Sequence, residues 1–407
     1  MRLHAKWVVP VGDRPIKNGA VRIDGETIGD VGLSKSHGDG PVVNFGDAVI
    51  LPGLVNGHTH LELTWAEGVG VREGEGFFDW LERLVGATRR LEDCDEVFAA
   101  AAREGMRRSL RLGVTTVGDI TSRPTVVRSA LRRGPLRVVS FGEVIAMGTI
   151  RGRLSERLQR AADGAYESEY LTIGVSPHSP YTVESDGIRA CVETAERLEL
   201  RMCMHLAETP EEVEYAERGG GLCREYLERM HVWDDLTVCP KMPPVPLAYS
   251  CGVLDRRTVL AHCNYVSASD INLFAANGVH VVYCPRTHSA FGHEPHSFRE
   301  MLAAGVNVCV GTDSLASNPS LSVLDEIRCL RRIYPEVAGG TLLEMATMRG
   351  ADALGLGSVV GSLSVGKSAD ITVIPLEAEG STDPIENLLA SSLNPAATFV
   401  RGKRVRL

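Results

Sequence analysis

Apolar runs of a few residues alternate with amphipathic stretches through the middle of the 407-residue chain. Eight of these runs have the pattern of strands, from ILPGLVNGH through VTTVGDI, LRVVSFGEV, LTIGVSPH, LRMCMHLAE, TVLAHC and VHVVYCP to VNVCVGTD. Helical segments such as EVFAAAAREGMRRSLRLG lie between most of them. Strands that alternate with helices are typical of parallel βαβ units, so the pattern predicts an α/β fold with a (β/α)8 TIM barrel. An open doubly wound sheet is the alternative, but no glycine fingerprint opens its first βα turn.

The two ends of the chain have a different pattern. Short apolar stretches bounded by Gly, Asp or Pro recur near the N-terminus (HAKWVV, AVRID, DAVILPG) and near the C-terminus (ADITVIPL, TFVRGKRVRL), where Arg401-Gly402-Lys403 is expected to turn a hairpin. We therefore predict one small composite β-sandwich domain from residues 1–51 and 356–407, and a barrel over residues 52–355. The segment 227–250 is the least regular part and reads as a long connection after the fifth strand, whose role the sequence leaves open.

Composition narrows the class of protein. Hydrophobic residues make up 44% and charged residues 23%, which is typical of a globular chain. The net charge of −9 argues against nucleic acid or an anionic membrane as a partner, and leaves a small-molecule substrate and water. There is no C-x-x-C pair among the ten cysteines, and the start of the chain lacks the pattern of a signal peptide. These features predict a cytoplasmic enzyme; a homodimer is left open.

Polar residues close the apolar runs, always at the C-terminal end. In a barrel this is the end where catalytic groups lie. The residues concerned are His58 and His60, His178, His205 with Glu208, His262, and Asp313. Because alternate residues of a strand point to the same side, His58 and His60 can address one point. One such histidine is more often a structural residue, and Asp313 alone could be a helix N-cap. Together they favour a metal site.

The types of these side chains favour particular ions. Neutral imidazoles and a carboxylate suit a borderline divalent ion better than magnesium or calcium. We therefore expect one divalent metal ion, Zn²⁺ in the first place and Fe²⁺ as the alternative. Such a site leaves room for a water molecule, whose pKa the ion lowers towards about 7.

Four motifs carry a family resemblance. HTH at the first strand, His205-Leu206-Ala207-Glu208 at the fifth, AHC at the sixth and GTDSLASN at the eighth resemble the amidohydrolase superfamily, in particular its mononuclear branch of aminohydrolases and chlorohydrolases. Within that branch, NGHTHLELTW, FFDWLERL and YCPRTHSAFGH are most similar to the aminofutalosine deaminases, which convert 6-aminodeoxyfutalosine to futalosine in menaquinone biosynthesis. The resemblance extends over essentially the whole chain.

The resemblance implies a role for each matching residue. The metal ligands would be His58, His60, His205 and Asp313. Glu208 and His262 would be the acid–base pair, and Asp313 could relay a proton. The fourth strand offers His178 and no lysine to be carbamylated, which favours one metal over two. Thr287-His288 departs from the Ser-Asn or Ser-His of many relatives; with His293 and His296 it leaves open a substrate contact or an adventitious metal site.

These residues together predict a metal-dependent hydrolytic deaminase of an adenine-type nucleoside, first of all 6-aminodeoxyfutalosine. Three side chains are candidates for substrate binding: His178 for the ring or ribose, Trp65 for the pocket wall and Arg286 for a carboxylate. Each also has a simpler interpretation: His178 as support for a metal ligand, Trp65 as packing and Arg286 as part of a salt bridge. Other substrates are S-adenosylhomocysteine, 5'-deoxyadenosine, methylthioadenosine or a triazine. An imidazolonepropionase-like amide hydrolase and an inactive scaffold are the alternatives of another class.

Overall fold

The computed structural model describes residues 1–33, 41–378 and 380–406. Its strands form two sheets of eight. The strands are β1 Arg2–Val8, β2 Ile16–Asp24, β3 Thr27–Leu33, β4 Val42–Asn44, β5 Ala48–Pro52, β6 Leu54–Thr59, β7 Val114–Thr121, β8 Arg137–Val144, β9 Leu171–Pro177, β10 Arg201–Leu206, β11 Thr258–His262, β12 His280–Tyr283, β13 Asn307–Val310, β14 Ile371–Pro375, β15 Ala397–Val400 and β16 Lys403–Arg404.

The helices lie between the barrel strands and after them. They are α1 Phe77–Arg89, α2 Cys94–Arg111, α3 Pro124–Leu131, α4 Leu154–Ala161, α5 Ser185–Arg197, α6 Pro210–Arg218, α7 Gly221–Arg229, α8 Pro244–Ser250, α9 Ala268–Asn277, α10 Pro285–Ala290, α11 Phe298–Ala303, α12 Val323–Ile333, α13 Gly339–Met345, α14 Met348–Ala353 and α15 Pro384–Ala390. Short 3-10 helices span Leu61–Val69, Gly148–Arg153 and Gly164–Tyr166. Among the described residues, no helix has both the length and the apolar composition needed to cross a membrane.

Strands β6 to β13 are parallel neighbours in chain order and form a nearly closed barrel. Its two ends meet where Thr59 bridges Asp313. Near this seam, the backbone N–H groups of Thr312 and Asp313 donate to the carbonyl oxygen of His58 over 3.1 and 3.0 Å. The side-chain amide of Asn56 donates to the Thr312 hydroxyl over 2.7 Å. These are the eight strands that the sequence predicts, and the (β/α)8 fold is confirmed.

The barrel interior is filled by side chains. Val55, Phe141, Cys203, Val282 and Cys309 belong to one buried cluster, which also includes residues of α14. A packed interior of this kind is typical of TIM barrels and leaves the C-terminal ends of the strands as the place for a site. All ten cysteines are free, and most are buried, as predicted for core residues.

The second sheet combines strands from both ends of the chain. Its order is β16-β15-β14-β5-β1-β2-β3, with β4 paired to β1. The antiparallel pair β14–β5 joins the C-terminal strands to the N-terminal ones. Strands β15 and β16 form the predicted hairpin, in which Arg401 and Gly402 take φ values of 50° and 72°. The sheet separate from the barrel is therefore confirmed, while the boundaries at 51/52 and 355/356 stay a prediction.

Candidate metal centre and catalytic cavity

The four predicted metal ligands lie together at the C-terminal end of the barrel. His60 Nε2 lies 3.4 Å from His205 Nε2 and 3.5 Å from Asp313 Oδ1. His58 Nε2 lies 3.8 Å from the same Asp313 oxygen. Ligands about 2.0–2.1 Å from a tetrahedral zinc ion lie about 3.4 Å from one another. The separations are therefore those of ligands around one ion.

His58 provides an independent test of whether a metal fits. Its side chain is fully buried, and neither ring nitrogen has a hydrogen-bond partner among the described residues. An isolated buried polar group destabilises a fold, and a cation at Nε2 supplies the missing partner. Burial, together with the neighbouring imidazoles, lowers the pKa of His58 and of His60 well below the ordinary value. The rings are therefore neutral, as ligation requires, and the donor set fits one borderline divalent ion.

Glu208 and His262 lie beside this set as a pair. Glu208 Oε1 is 3.4 Å from His262 Nε2, and both side chains are buried. Burial raises the pKa of Glu208 well above its ordinary value, and the carboxylates of Asp313 and Glu212 raise it further. Burial lowers the pKa of His262. A carboxyl group with a raised pKa next to an imidazole with a lowered pKa is the arrangement of an acid and a base that can each move one proton.

The turn that carries Glu208 is held by Glu212, a fully buried residue of α6 that the sequence reasoning missed. The backbone N–H groups of Ala207 and Glu208 each donate to one oxygen of its carboxylate over 2.8 Å. Ala207 has a φ of 51°, in the left-handed region that disfavours alanine. The Asn264 side chain also donates to the Glu208 carbonyl oxygen over 2.9 Å. Thr209, an N-cap four residues after His205, was the signal in the sequence that a helix begins here.

Replacing Glu212 by glutamine is expected to destabilise the protein. A glutamine oxygen can accept only one of the two N–H groups, and its NH2 group then faces the other. Leaving one buried donor unsatisfied costs about 1–3 kcal/mol in the free energy of unfolding, and kcat should fall as Glu208 loses its position. Urea denaturation with metal present measures the first effect. Glu214→Gln, on the exposed face of α6, is the matched control and should leave the urea midpoint unchanged. An equal shift in both variants would contradict this role.

The predicted base and one predicted metal ligand have left-handed backbone conformations. His262 has a φ of 69° and Asp313 a φ of 55°. His296 Nε2 lies 2.8 Å from the His262 carbonyl oxygen, which can only accept, so this nitrogen carries the hydrogen. The ring of Tyr283 stacks on His296 with 3.9 Å between centroids. Strained backbone conformations persist where surrounding contacts hold them in place, and they cluster at functional sites.

The other histidines of the seventh loop are held by nearby polar groups. His288 Nδ1 lies 3.1 Å from the Asn264 side-chain oxygen, and His293 Nδ1 lies 3.0 Å from the Tyr265 hydroxyl. No group of metal-ligating atoms found in the described part of the chain includes His288, His293 or His296. Of the two roles that the sequence left open, an adventitious metal site thus has no structural support.

A cavity of about 390 Å³ opens onto three of the four predicted metal ligands, His60, His205 and Asp313, and onto Glu208. Aromatic and aliphatic side chains form much of its wall: Phe77, Trp80, Leu81, Tyr181, Tyr226, Leu227, Met230 and Val232. The last three show that the beginning of the irregular segment 227–250 contributes to the wall. A cavity of this size with an apolar wall and a few polar groups is typical of a site for a small molecule.

The three predicted substrate contacts have different positions. His178 lines the cavity, and its Nδ1 lies 2.6 Å from the Thr182 hydroxyl. Trp65 does not line it: its ring lies behind the wall residue Phe98, with 6.3 Å between centroids, and Trp80 is the tryptophan of the wall.

Arg286 does not line the cavity either. Its guanidinium donates to the Ser320 hydroxyl over 2.8 Å and lies 3.8 and 3.9 Å from the carboxylates of Asp325 and Glu326. These contacts correspond to the simpler interpretation, a salt bridge. Two arginines do line the cavity: Arg89 at the end of α1, and Arg157 in α4, between the third and fourth barrel strands.

A barrel with imidazole and carboxylate ligands at the C-terminal ends of its strands, next to a buried acid–base pair, defines a class of metal-dependent barrel hydrolases. The family model described as "Amidohydrolase family" matches residues 49–405. The chain therefore belongs to the amidohydrolase family, and it is a hydrolase of carbon–nitrogen bonds, an aminohydrolase.

Three known proteins illustrate the similarity. The 5-methylthioadenosine/S-adenosylhomocysteine deaminase of Haloarcula marismortui is 30% identical over 375 residues, which cover 88% of this chain and 79% of that protein. The crystal structure of Helicobacter pylori aminofutalosine deaminase with methylthio-coformycin has a TM-score of 0.87 at 22% identity and covers all of both chains. A zinc-bound adenosine deaminase from Xanthomonas campestris has a TM-score of 0.85 at 23% identity, covering 99% of this chain and 92% of that one.

Proposed function

We propose that the protein is a zinc-dependent hydrolytic deaminase of an adenine-type nucleoside, with 6-aminodeoxyfutalosine as substrate and futalosine and ammonia as products. The observation that carries the proposal is the buried pair Glu208–His262 next to the four metal ligands. Relatives named as deaminases of methylthioadenosine, S-adenosylhomocysteine and aminofutalosine support the substrate class. Under this proposal the enzyme serves menaquinone biosynthesis.

Each residue of the site has its own role in the proposed hydrolytic deamination. A metal ion held by His58, His60, His205 and Asp313 would lower the pKa of water and stabilise developing negative charge. His262 orients the attacking water and accepts its proton. Glu208, whose pKa is raised by burial and by the nearby carboxylates, donates a proton to the ring nitrogen next to the carbon that bears the amino group. When the carbon–nitrogen bond breaks, the proton that His262 took from water is relayed by Glu208 or Asp313 to the amino group, which leaves as ammonia. The hydroxyl proton of the tetrahedral carbon passes to Glu208 as the carbonyl group forms, which restores both residues to their starting states. The logic is that of the zinc nucleoside deaminases on another set of ligands.

Arg157 supports a substrate that carries a carboxylate. Its half-buried guanidinium donates to the Ile145 carbonyl oxygen over 2.5 Å and has no salt-bridge partner in the described ranges. It lines both the catalytic cavity and an adjacent pocket of about 580 Å³, which is also lined by Arg153 and Arg160. A guanidinium matches a carboxylate with two parallel hydrogen bonds. 6-Aminodeoxyfutalosine and S-adenosylhomocysteine have a carboxylate, whereas 5'-deoxyadenosine and methylthioadenosine do not.

A substrate panel tests the proposal. The metal-loaded protein is assayed with 6-aminodeoxyfutalosine, S-adenosylhomocysteine, 5'-deoxyadenosine and methylthioadenosine, with loss of adenine absorbance and release of ammonia as readouts. We expect 6-aminodeoxyfutalosine to have the highest kcat/KM. If S-adenosylhomocysteine is preferred, the substrate assignment is wrong but the deaminase stands. If no member is turned over, the deaminase proposal itself fails.

Replacing Arg157 by methionine tests whether this residue binds the carboxylate of the substrate, independently of how the adenine base is bound. A hydrogen-bonded ion pair of this kind contributes about 1.5–3 kcal/mol, so we expect KM for the carboxylate-bearing substrates to rise about tenfold or more. The kinetic constants for 5'-deoxyadenosine should change little. Arg107→Met is the matched control, because Arg107 is exposed, is paired with Glu104 and lines neither pocket. An equal loss for all four substrates would show that Arg157 supports the fold rather than the carboxylate.

A further inference from the structure

Glu143 stands near the end of β8, the third barrel strand, and lines the catalytic cavity. Its side chain is only 9% exposed, and no described N–H or O–H group donates a hydrogen bond to its carboxylate. The ring of His178, whose pKa burial lowers to about 4, lies near it with 3.8 Å between Nε2 and Oε1. A buried carboxylate without donors is unfavourable unless something else supplies them.

A second acidic residue of the cavity wall has the hydrogen-bond donors that Glu143 lacks. Glu62 also lines the cavity, but its carboxylate accepts from the Ser122 backbone N–H over 2.9 Å, from the Ser122 hydroxyl over 2.6 Å and from the Thr121 hydroxyl over 2.5 Å. Glu62 is therefore satisfied by the protein itself. Glu143 keeps its acceptors free for a molecule in the cavity.

The position of Glu143 indicates which part of a bound molecule would lie next to its carboxylate. Its carboxylate, His178 and His205 have ligand atoms within 4.8 Å of one another, so Glu143 lies beside His205, one of the predicted metal ligands. On its other side, Glu143 lines the junction with the arginine-lined pocket, together with Arg157. A ligand with its base at the metal and its carboxylate at Arg157 would therefore place its middle part at Glu143.

We propose that Glu143 accepts hydrogen bonds from the vicinal hydroxyl groups of the substrate's ribose and thereby selects ribonucleosides, an inference that rests on the proposed function. A carboxylate offers two acceptor oxygens on one rigid group, which matches two neighbouring hydroxyl donors. A second metal at Glu143, His178 and His205 is the competing reading. It would need His205 Nε2, which already lies 3.4 Å from His60 Nε2 within the first set of ligands.

The test compares Glu143→Gln with wild type on two nucleosides that differ only in the 2'-hydroxyl, 5'-deoxyadenosine and 2',5'-dideoxyadenosine. The measured quantity is the ratio of their kcat/KM values. If the two nucleosides are not turned over, they are tested as inhibitors of the deamination of the active member of the panel. The ratio of their inhibition constants then takes the place of the ratio of kcat/KM values. We expect a wild-type ratio of about tenfold or more, since hydrogen bonds to a charged group are strong, and a ratio within about threefold of unity in Glu143→Gln. Glu156→Gln, an exposed acid at the rim of the adjacent pocket, is the control and should keep the wild-type ratio.

Each outcome decides the assignment. A ratio that is the same in Glu143→Gln and wild type, or a loss that is equal for both nucleosides, overturns the role of Glu143 and leaves the deaminase intact. Two metal ions per wild-type chain, with one lost in Glu143→Gln by elemental analysis, overturn it in favour of a second metal site. If wild type deaminates no adenine nucleoside, the proposed function fails, and this inference fails with it.

Discussion

Glu208→Gln is expected to lower kcat by at least about 10³-fold, because general acid–base catalysis contributes about 10²–10⁴-fold and this residue handles more than one proton. Glutamine has nearly the shape of the protonated carboxyl, but it cannot release a proton to the ring nitrogen. Since Glu208 is not among the metal ligands, the variant should still bind one metal ion. Steady-state kinetics and elemental analysis of the same preparation measure the two quantities.

The control for this prediction is Glu214→Gln, which makes the same chemical change on the exposed face of α6. It should have the wild-type rate. A Glu208→Gln rate within about tenfold of wild type would remove Glu208 from acid–base catalysis. Loss of metal from Glu208→Gln would show instead that the carboxylate helps to hold the ion.

His60→Ala is expected to lose most of its metal on dialysis and, with it, its activity. The variant removes a ligand whose Nε2 lies 3.4 Å from His205 and 3.5 Å from Asp313, at the centre of the set. Replacing residues that merely support a metal ligand already weakens affinity about 10–100-fold, and removal of a ligand should exceed this. Elemental analysis should find well under one equivalent in the variant and about one in wild type.

His231→Asn is the control, because His231 is exposed and does not line the cavity. Its metal content should equal that of wild type. Circular dichroism of both variants checks that the barrel is intact. A His60→Ala protein that keeps a full equivalent of metal would contradict the assignment of this ligand.

The barrel, and the position of the predicted metal ligands at one end of it, could be predicted from the sequence for one physical reason. Five of the eight apolar runs end in a polar residue of the candidate site, and parallel strands bring their C-terminal ends to the same rim. His205 and Asp313 are far apart along the chain, yet both follow directly from where their strands end. β6 ends at Thr59, and the period of two continued one residue past its end brings His58 and His60 to one side.

The walls of the cavity could not be predicted in this way, because loops and side-chain partners decide them. Trp80 lines the cavity because α1 packs over the barrel, where its indole N–H donates to the Ala316 carbonyl oxygen over 2.9 Å. No local pattern distinguishes it from Trp65. Arg286 follows the seventh strand as expected for a substrate contact, but Asp325 and Glu326 on α12 lie close to its guanidinium. Nothing near Arg286 in the sequence indicates these partners.

The central claim is that one metal ion in the His58–His60–His205–Asp313 site supports hydrolytic deamination. Its most direct test is a zinc titration of the chelator-stripped wild-type protein, with ammonia release from the active member of the substrate panel as the readout. The account predicts a negligible rate without metal, a linear rise with added zinc and a plateau at about one equivalent per chain. A stripped protein with the full rate, or a plateau at two equivalents, would contradict it.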